Sequence, residues 1–405
     1  MAAVHAAGGG VRTVVLDGMP SAGSKLLITG GGRCNILPAA ASGSSYVSGA
    51  TVNSLRRILL SWSADAARGF FQSAGVVIQA ETGTGKLFPA SGRASDVRDA
   101  LLSKARTSGA LFRFRNRVES ISMMPGGEGW VVSTEGGEAA CGRMILACGG
   151  CTWPETGSDG SGFALASSAG HSIVPPVPAL APLACSEPGW SALSGITCTV
   201  TISGSSGKRL SQGALLISHG GFSGPAVLDA SHAWKEGLFV QWCGRDARRW
   251  EESLLAGRGR VVALLREELP ARLCAKLVES AGLPGDSPFA DLTRESRRRL
   301  LDCLCRFRLP VSGVLEPGRA EVTAGGVPLA EIRTSSMESR LAPGLYLAGE
   351  MLDATGPVGG YNLYWAWLTG RLAGMSAAAS LRDPARWTPS PGRTGSSPRG
   401  IPDRS

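Results

Sequence analysis

Residues 2 to 17 constrain the fold more than any other stretch. "AAVHAA" is a run of small, helix-compatible side chains suited to close packing, and Gly8, Gly9 and Gly10 end it. "VRTVVLD" follows, an apolar β-branched run of strand length that stops at Asp17. Helix, glycine turn, buried parallel strand and terminal acid form the second half of a βαβ dinucleotide-binding unit, where the acid holds a ribose hydroxyl. The first half of such a unit is a strand ending in G-x-G-x-x-G at the helix N-terminus. Here the sequence begins inside the helix, and Gly8 to Gly10 follow that helix, so they do not replace the loop. On these residues alone, a helix and strand with no nucleotide role is the competing reading.

Size and charge bound the rest. The chain has 405 residues, enough for two or three domains and a large core. Its 56 glycines point to many tight turns and to ligand surfaces lined by backbone. The formal net charge of +9 comes mostly from scattered arginines. The local cluster "RESRRR", Arg294 to Arg299, reads as the solvated face of a helix, so a nucleic-acid partner is not expected. No apolar run reaches the roughly 18 residues of a membrane span, and the first residues lack the pattern of a secretory leader. Ten cysteines without regular spacing fit buried free thiols in a reducing compartment, which makes the cytoplasm the expected location.

Strand and helix patterns alternate up to about residue 180. "GSKLLITGGGRCN" runs into a glycine loop ending at Arg33, Cys34 and Asn35. "TVNSLRRILLSWSADAARGFFQSAG" reads as two short amphipathic helices with Asn53 and Ser63 as N-caps. "GALFRFRNRVESISMM" is strand-like, and "GWVVSTEGGEAACGRMILACGG" reads as strand, turn and a final buried strand. This predicts an α/β layer with a parallel sheet. The texture changes after "PPVPALAPLAC": "CTVTISG", "GALLIS" and "GLFVQWC" are short alternating runs, as in antiparallel sheet. Helical stretches follow over 246–282 and 293–309, with acid–base pairs at helical spacing. "EVTAGGVPLAEI" returns to strand, and "GLYLAGEMLDATGPVGGYNLYWAWLTGRLAGMSAAASL" reads as strand, glycine loop and long helix. The expected division is an α/β domain over 1–180, an inserted β-rich and helical domain over 181–338, and the second part of the α/β domain over 339–382. A tail over 383–405, rich in Pro, Gly, Ser and Arg, is expected to be disordered.

Four glycine-bearing loops border predicted strands: "TGGGRCN", "ACGGCTWPETGSDGSG", "HGGFSGP" and "AGEMLDATGPVGGYN". Glycine lets backbone N–H groups approach phosphates or a planar ring with no side chain in the way. Several such loops at strand ends of an α/β domain suit a cofactor lying across them. With "GKLFPASGRASDVRDAL", "TGSDGSGFALASSAGHSIVPPVPALAPL", "ISHGGFSGPAVLDAS", "AEVTAGGV" and "MESRLAPGLYLAGEMLDATGPVGGYNLYWAW", they make the chain resemble the BaiN-like flavoproteins, also called the aminoacetone-oxidase family of FAD-binding enzymes. The resemblance covers residues 2 to 380.

The resemblance implies a split Rossmann-type FAD-binding domain with an inserted β-barrel-like and helical substrate domain. It implies hydride transfer between a small organic substrate and the flavin, with NAD(P)H or oxygen as redox partner. It also assigns roles. Asp17 takes the ribose-binding position, where the family more often has Glu. Gly30, Gly31, Gly32, Arg33, Cys34 and Asn35 belong to the loop beside the isoalloxazine, and Asn35 is a catalytic candidate. Val118 lies near the adenine. Ala147, Cys148, Gly149 and Gly150 match an "ATGG" loop, with Cys148 in place of a Thr and therefore a weaker hydrogen-bond donor. Gly349, Glu350, Asp353, Gly359, Gly360, Tyr361 and Asn362 match the C-terminal flavin loop. The helix starting near Gly360 would aim its positive end at the flavin pyrimidine and favour the anionic reduced ring.

Other motifs carry less. Cys148-Gly-Gly-Cys151 is either a redox dithiol beside the flavin or two thiols in a tight turn; no second pair with zinc-site spacing follows, so no metal is expected. "TGTGKLFP" lacks the phosphate-loop spacing, since Leu87 follows Lys86, which sets ATP aside. His171 reads as a helix-end residue, while His219, beside a glycine loop, is the second catalytic candidate. "YWAW", Tyr364 to Trp367, reads as helix packing. Two alternatives stand against a flavin oxidoreductase of small molecules. One is a cofactor-poor remnant acting only as a binding protein, supported by the absent glycine loop. The other is an RNA-modifying flavoprotein, supported by the basic charge. A doubly wound sheet should run in the order 111–115, 11–16, an unfilled position, 143–147, 345–348, with FAD held weakly without the pyrophosphate loop.

Overall fold

The computed structural model describes residues 1–382, so the expectation for the tail over 383–405 lies outside the described residues. The first part runs α1 (Ala2–Gly8), β1 (Val14–Asp17), α2 (Ser24–Ile28), α3 (Val52–Leu60), α4 (Ala64–Ser73), β2 (Ile78–Ala80), β3 (Leu87–Pro89) and α5 (Ala94–Thr107). It continues through β4 (Leu111–Phe114), β5 (Val118–Met123), β6 (Trp130–Thr134), β7 (Gly137–Cys141), β8 (Met144–Leu146), α6 (Ser161–Ser168) and β9 (Val174–Ala179). The middle part holds β10 (Leu183–Ala184), β11 (Thr197–Ser203), β12 (Arg209–Ser218), β13 (Gly221–Ser223), α7 (Pro225–Ala230) and β14 (Phe239–Trp242). Then come α8 (Ala247–Ala256), α9 (Val261–Leu265), α10 (Ala271–Ser280), α11 (Arg294–Cys305), β15 (Phe307–Arg308) and β16 (Gly313–Val314). The last part is β17 (Val322–Gly326), β18 (Ile332–Arg333), β19 (Glu338–Ser339), β20 (Leu345–Leu347) and α12 (Tyr361–Arg382).

The predicted opening is present: a helix of small residues, a glycine stop and a strand ending at Asp17. Val4 and Ala7 of α1 bury against Ala105 and Ala110 at the end of α5. On its other side α1 lies against α12, close enough that a Cβ at Gly374 would sit 2.3 Å from the Ala2 carbonyl oxygen. Parallel pairing occurs in two pieces. β1 pairs with β4, Val14 opposite Leu111 and Asp17 opposite Phe114. β8 pairs with β20, Leu345 opposite Met144, and antiparallel β19 and β18 extend that sheet. β1 and β8 belong to different sheets and no ladder joins them. The two expected pairings, 111–115 with 11–16 and 143–147 with 345–348, are both present.

The middle part is an independent layer. Its strands form one seven-stranded sheet in the order β15-β14-β11-β12-β13-β10-β16, all paired antiparallel. The alternation read in "CTVTISG" is the burial pattern of β11, with Val200 and Ile202 inside. The sheet has open edges at β15 and β16, so it is not closed into a barrel. Its core, which includes Trp190, Ile217, Phe222, Trp242, Trp250 and Leu277, is separate from that of the rest of the chain.

Three expectations need correction. The insert ends earlier than residue 338: its sheet and core end by Val314, while Val327, Ile332 and Met337 join the first core and β18 and β19 extend the β20 sheet. The stretch before "TGGGRCN" is the short helix α2, not a strand, because a brief apolar run satisfies either period. The helix N-caps are Thr51, whose hydroxyl accepts from Ser54 N–H, and the expected Ser63; Asn53 is inside α3.

Candidate active site

The loops singled out in the sequence pack into one another. After β1, Asp17 is half-buried and its Oδ1 accepts from the Met19 N–H at 2.9 Å. Desolvation pushes its carboxyl up, against that hydrogen bond. The chain leaving β4 returns to the same place: Asn116 N–H donates to the Asp17 carbonyl and Arg115 N–H to the Met19 carbonyl, both at 3.0 Å. Val118 follows two residues later, at the start of β5. Arg117 next to it pairs with Asp159 at 2.5 Å, which brings in the long loop after β8.

That loop carries Ala147 to Gly150. Gly150 N–H donates to Ser158 Oγ at 3.1 Å, and Cys151 N–H to Thr323 Oγ1 at 2.8 Å. Cys148 packs on the α6 start at Gly162, and desolvation pushes its thiol up. Cys148 and Cys151 are both free, and they have different neighbours. For Cys148 the turn reading fits better than a dithiol, because it packs on Gly162 and a raised thiol is a poor nucleophile.

The centre is a cluster of which the sequence reading named Glu350 alone. Lys25 Nζ, on α2, lies 2.9 Å from both carboxylate oxygens of Glu350, 2.9 Å from Thr152 Oγ1 and 3.3 Å from Ser158 Oγ. Thr323 N–H donates to Glu350 Oε1 at 2.8 Å. Lys25, Thr152, Ser158 and Thr323 thus join α2, the loop after β8, β17 and the loop after β20. Lys25 sits in the "GSKLLITGGGRCN" run and Ser158 in "TGSDGSG", but pairing across 325 positions leaves no local signal.

Beyond this cluster lies the loop of Gly30, Gly31, Gly32, Arg33, Cys34 and Asn35. Cys34 is fully buried and its thiol is pushed up to about 12 by desolvation, so it packs rather than reacts. Arg33 is half-exposed, pairs with Glu81 at 3.0 Å and lies over the Phe88 ring at 4.4 Å. Asn35 bridges β3 and the loop leading into α12: with its amide oriented to satisfy both atoms, nitrogen donates to the Leu87 carbonyl and oxygen accepts from Gly360 N–H, each at 3.2 Å. Both amide atoms are used, so Asn35 positions the loop rather than transferring a proton.

The C-terminal loop is braced throughout. Gly349 N–H donates to Thr369 Oγ1 at 2.9 Å and its carbonyl accepts from Trp365 Nε1 at 3.2 Å. Trp367 Nε1 donates to the Ile36 carbonyl at 3.1 Å, so "YWAW" is packing whose polar tips hold the site loops. Asp353 Oδ2 accepts from Gly49 N–H at 2.8 Å, and desolvation pushes that carboxyl up. Gly359 and Gly360 lead into α12, and the Tyr361 carbonyl accepts from Tyr46 Oη at 3.0 Å. Gly360 has φ +88, and a Cβ there would lie 2.7 Å from the Leu37 carbonyl carbon and 2.9 Å from its oxygen. Asn362 Oδ1 accepts from Gly356 N–H and its Nδ2 donates to the Gly356 carbonyl, both at 2.8 Å.

Two histidines are elsewhere. His219 is exposed on the turn between β12 and β13, where Gly220 packs on Leu315. His171, just after α6, is buried between Glu331 Oε2 at 2.7 Å and Ser339 Oγ at 2.8 Å. Ser339 Oγ also accepts from Leu341 and Ala342 N–H, which makes this a structural brace.

An α/β fold with a βα acid, a lysine–carboxylate cluster and glycine loops meeting at strand ends defines a flavin-dependent oxidoreductase of the Rossmann type. Residues 1–376 match the family described as HI0933-like protein Rossmann domain, and the chain belongs to that family. It is 31% identical over 390 residues to the 3-dehydro-bile acid delta(4,6)-reductase of Clostridium scindens, covering 91% of this chain and 93% of that one. It is 29% identical to the ribosomal RNA dihydrouridine synthase of Escherichia coli, covering 88% and 90%. Among solved structures, it is similar to the 3-ketosteroid-delta4-(5alpha)-dehydrogenase of Rhodococcus jostii, with a TM-score of 0.49 and 16% identity, covering 93% of this chain and 94% of that one. The residues present fit FAD, the family's cofactor. Asp17 offers a carboxylate with one short-range partner, Lys25 and Glu350 offer charge to phosphate and hydroxyl groups, and the Gly360 turn brings backbone where a side chain could not go.

Proposed function

We propose that this chain transfers hydride between FAD and a small organic substrate, reducing a carbon–carbon double bond, with NAD(P)H as the electron source. The observation that carries the reading is the Lys25–Glu350 cluster, which ties four segments together through polar side chains, with the Asn35–Gly360 bridge further along the same C-terminal loop. Bound FAD supplies the two-electron chemistry. Asp17 would hold the ribose, Lys25 and Glu350 the polar linker, and the loop from Gly356 to Gly360 the ring end. Asn35 keeps that loop in register with β3. The N-terminus of α12, a helix of 22 residues, adds a positive partial charge behind the loop. The activity words in the relatives' names, delta(4,6)-reductase and dihydrouridine synthase, support double-bond reduction as the direction. The test is anaerobic mixing of the FAD-loaded protein with NADH or NADPH. Loss of the flavin's visible absorption band is expected, and an unchanged band with both donors would remove the nicotinamide assignment.

An RNA substrate is the second reading, favoured by the ribosomal RNA relative and by the +9 charge. It requires RNA binding that weakens steeply with salt.

A further inference from the structure

The loop Gly356–Gly360 is held by three side chains at alternate residues. Asn362 of α12 holds Gly356 through two hydrogen bonds, and Asn35 holds Gly360. The third comes from the other core: Asp229, on α7 of the insert, accepts from the Val358 N–H with Oδ1 at 2.8 Å. α7 is itself fixed to the insert sheet, since Ser211 Oγ on β12 donates to the Ala226 carbonyl at 2.6 Å. The insert is thus hydrogen-bonded to the loop assigned to the flavin ring.

We propose that Asp229 is a positioning residue through which the inserted domain sets the conformation of the cofactor loop, so that cofactor affinity depends on the insert. This rests on the FAD reading above. The surroundings support it. Desolvation pushes the Asp229 carboxyl up, with the Val358 hydrogen bond and then Lys86 opposing. Such a half-buried acceptor is costly to leave unpartnered, so it holds its donor in place. Glu321, an exposed residue just before β17, has a carboxyl that desolvation also pushes up, with Lys86 lowering it and Asp229 raising it. Tyr361 is raised by desolvation and then by Asp229. Loss of the acceptor would free Val358 and the two glycines after it.

The experiment compares Asp229→Asn, which keeps the acceptor oxygen, with Asp229→Ala and Asp229→Leu, which do not. Amide hydrogen exchange at Val358 in the protein without FAD reads the bond, and flavin-fluorescence titration reads the affinity. In Ala and Leu variants the exchange should quicken and FAD affinity should fall, each by roughly tenfold, the scale of one lost hydrogen bond to a charged group. Asp229→Asn should restore both to within about twofold of the wild type. The Leu variant keeps the question open to refutation if the Ala variant does not fold. Faster exchange with unchanged FAD affinity would overturn the proposal, as would an Asn variant as weak as Ala. A wild-type chain that binds no FAD would overturn the functional reading itself, whereas wild-type binding matched by Ala and Leu overturns only this inference.

Discussion

Lys25 and Glu350 decide how the cleft is built. Their side chains are each 19% exposed, in the range where an ion pair is neither screened away nor fully desolvated. Lys25→Met leaves a carboxylate with Thr323 N–H and no cation. It should destabilise the fold by about 1–3 kcal/mol, less than a deeply buried pair, measured by chemical denaturation. Gly360→Ala should cost about 2 kcal/mol or more, because it forces both a left-handed backbone and contact with the Leu37 carbonyl. A loss under about 0.5 kcal/mol would mean that the Asn35 bridge yields easily. The sequence exposed half of this pair. Glu350 and Gly360 stand in a loop whose composition marks it, whereas Lys25 looks like any cation beside an apolar run. Its partner is fixed by tertiary packing, which no local pattern encodes. Asp229 escaped for the same reason. His219 misled because glycines flank ordinary hairpin turns as readily as they flank binding loops.

At the scale of elements, periodicity was readable where an element buries one face, as in β11, β12 and α11. It failed at α2, a five-residue helix too short to show its period. It also failed at the return from the insert, where β18 and β19 are two-residue strands with no pattern of their own. α1 carries a pH prediction. His5 lies 5.7 Å from the Phe70 ring, and its buried Nε2 has no hydrogen-bond partner among the described residues. Desolvation first, then positive neighbours led by Arg371, lowers its pKa from 6.5 to about 4. The folded value is below the unfolded one, so the contribution to stability is present above pH 6.5 and is lost as pH falls toward 4. Thermal unfolding of the wild type should weaken through that window, and His5→Gln should flatten the decline. Parallel pH profiles for the two proteins would place the acid sensitivity elsewhere.

The two large hydrophobic cores of the molecule are bridged by the Asp229–Val358 bond. Ile217→Ala, at a fully buried insert position, should cost about 2–5 kcal/mol, with loss of hydrogen-exchange protection confined to residues 183–314. Protection lost equally in β8 and β20 would show one cooperative unit instead. The central claim is that the cleft around Lys25 and Glu350 holds FAD. Equilibrium titration with FAD, followed by flavin fluorescence, tests it on the wild type, Lys25→Met, and Leu277→Met, a change on α10 in the core of the insert. Saturation at one FAD per chain is expected, with affinity at least about tenfold weaker in Lys25→Met and unchanged in Leu277→Met. Binding that does not saturate, or equal affinity in all three proteins, would contradict it.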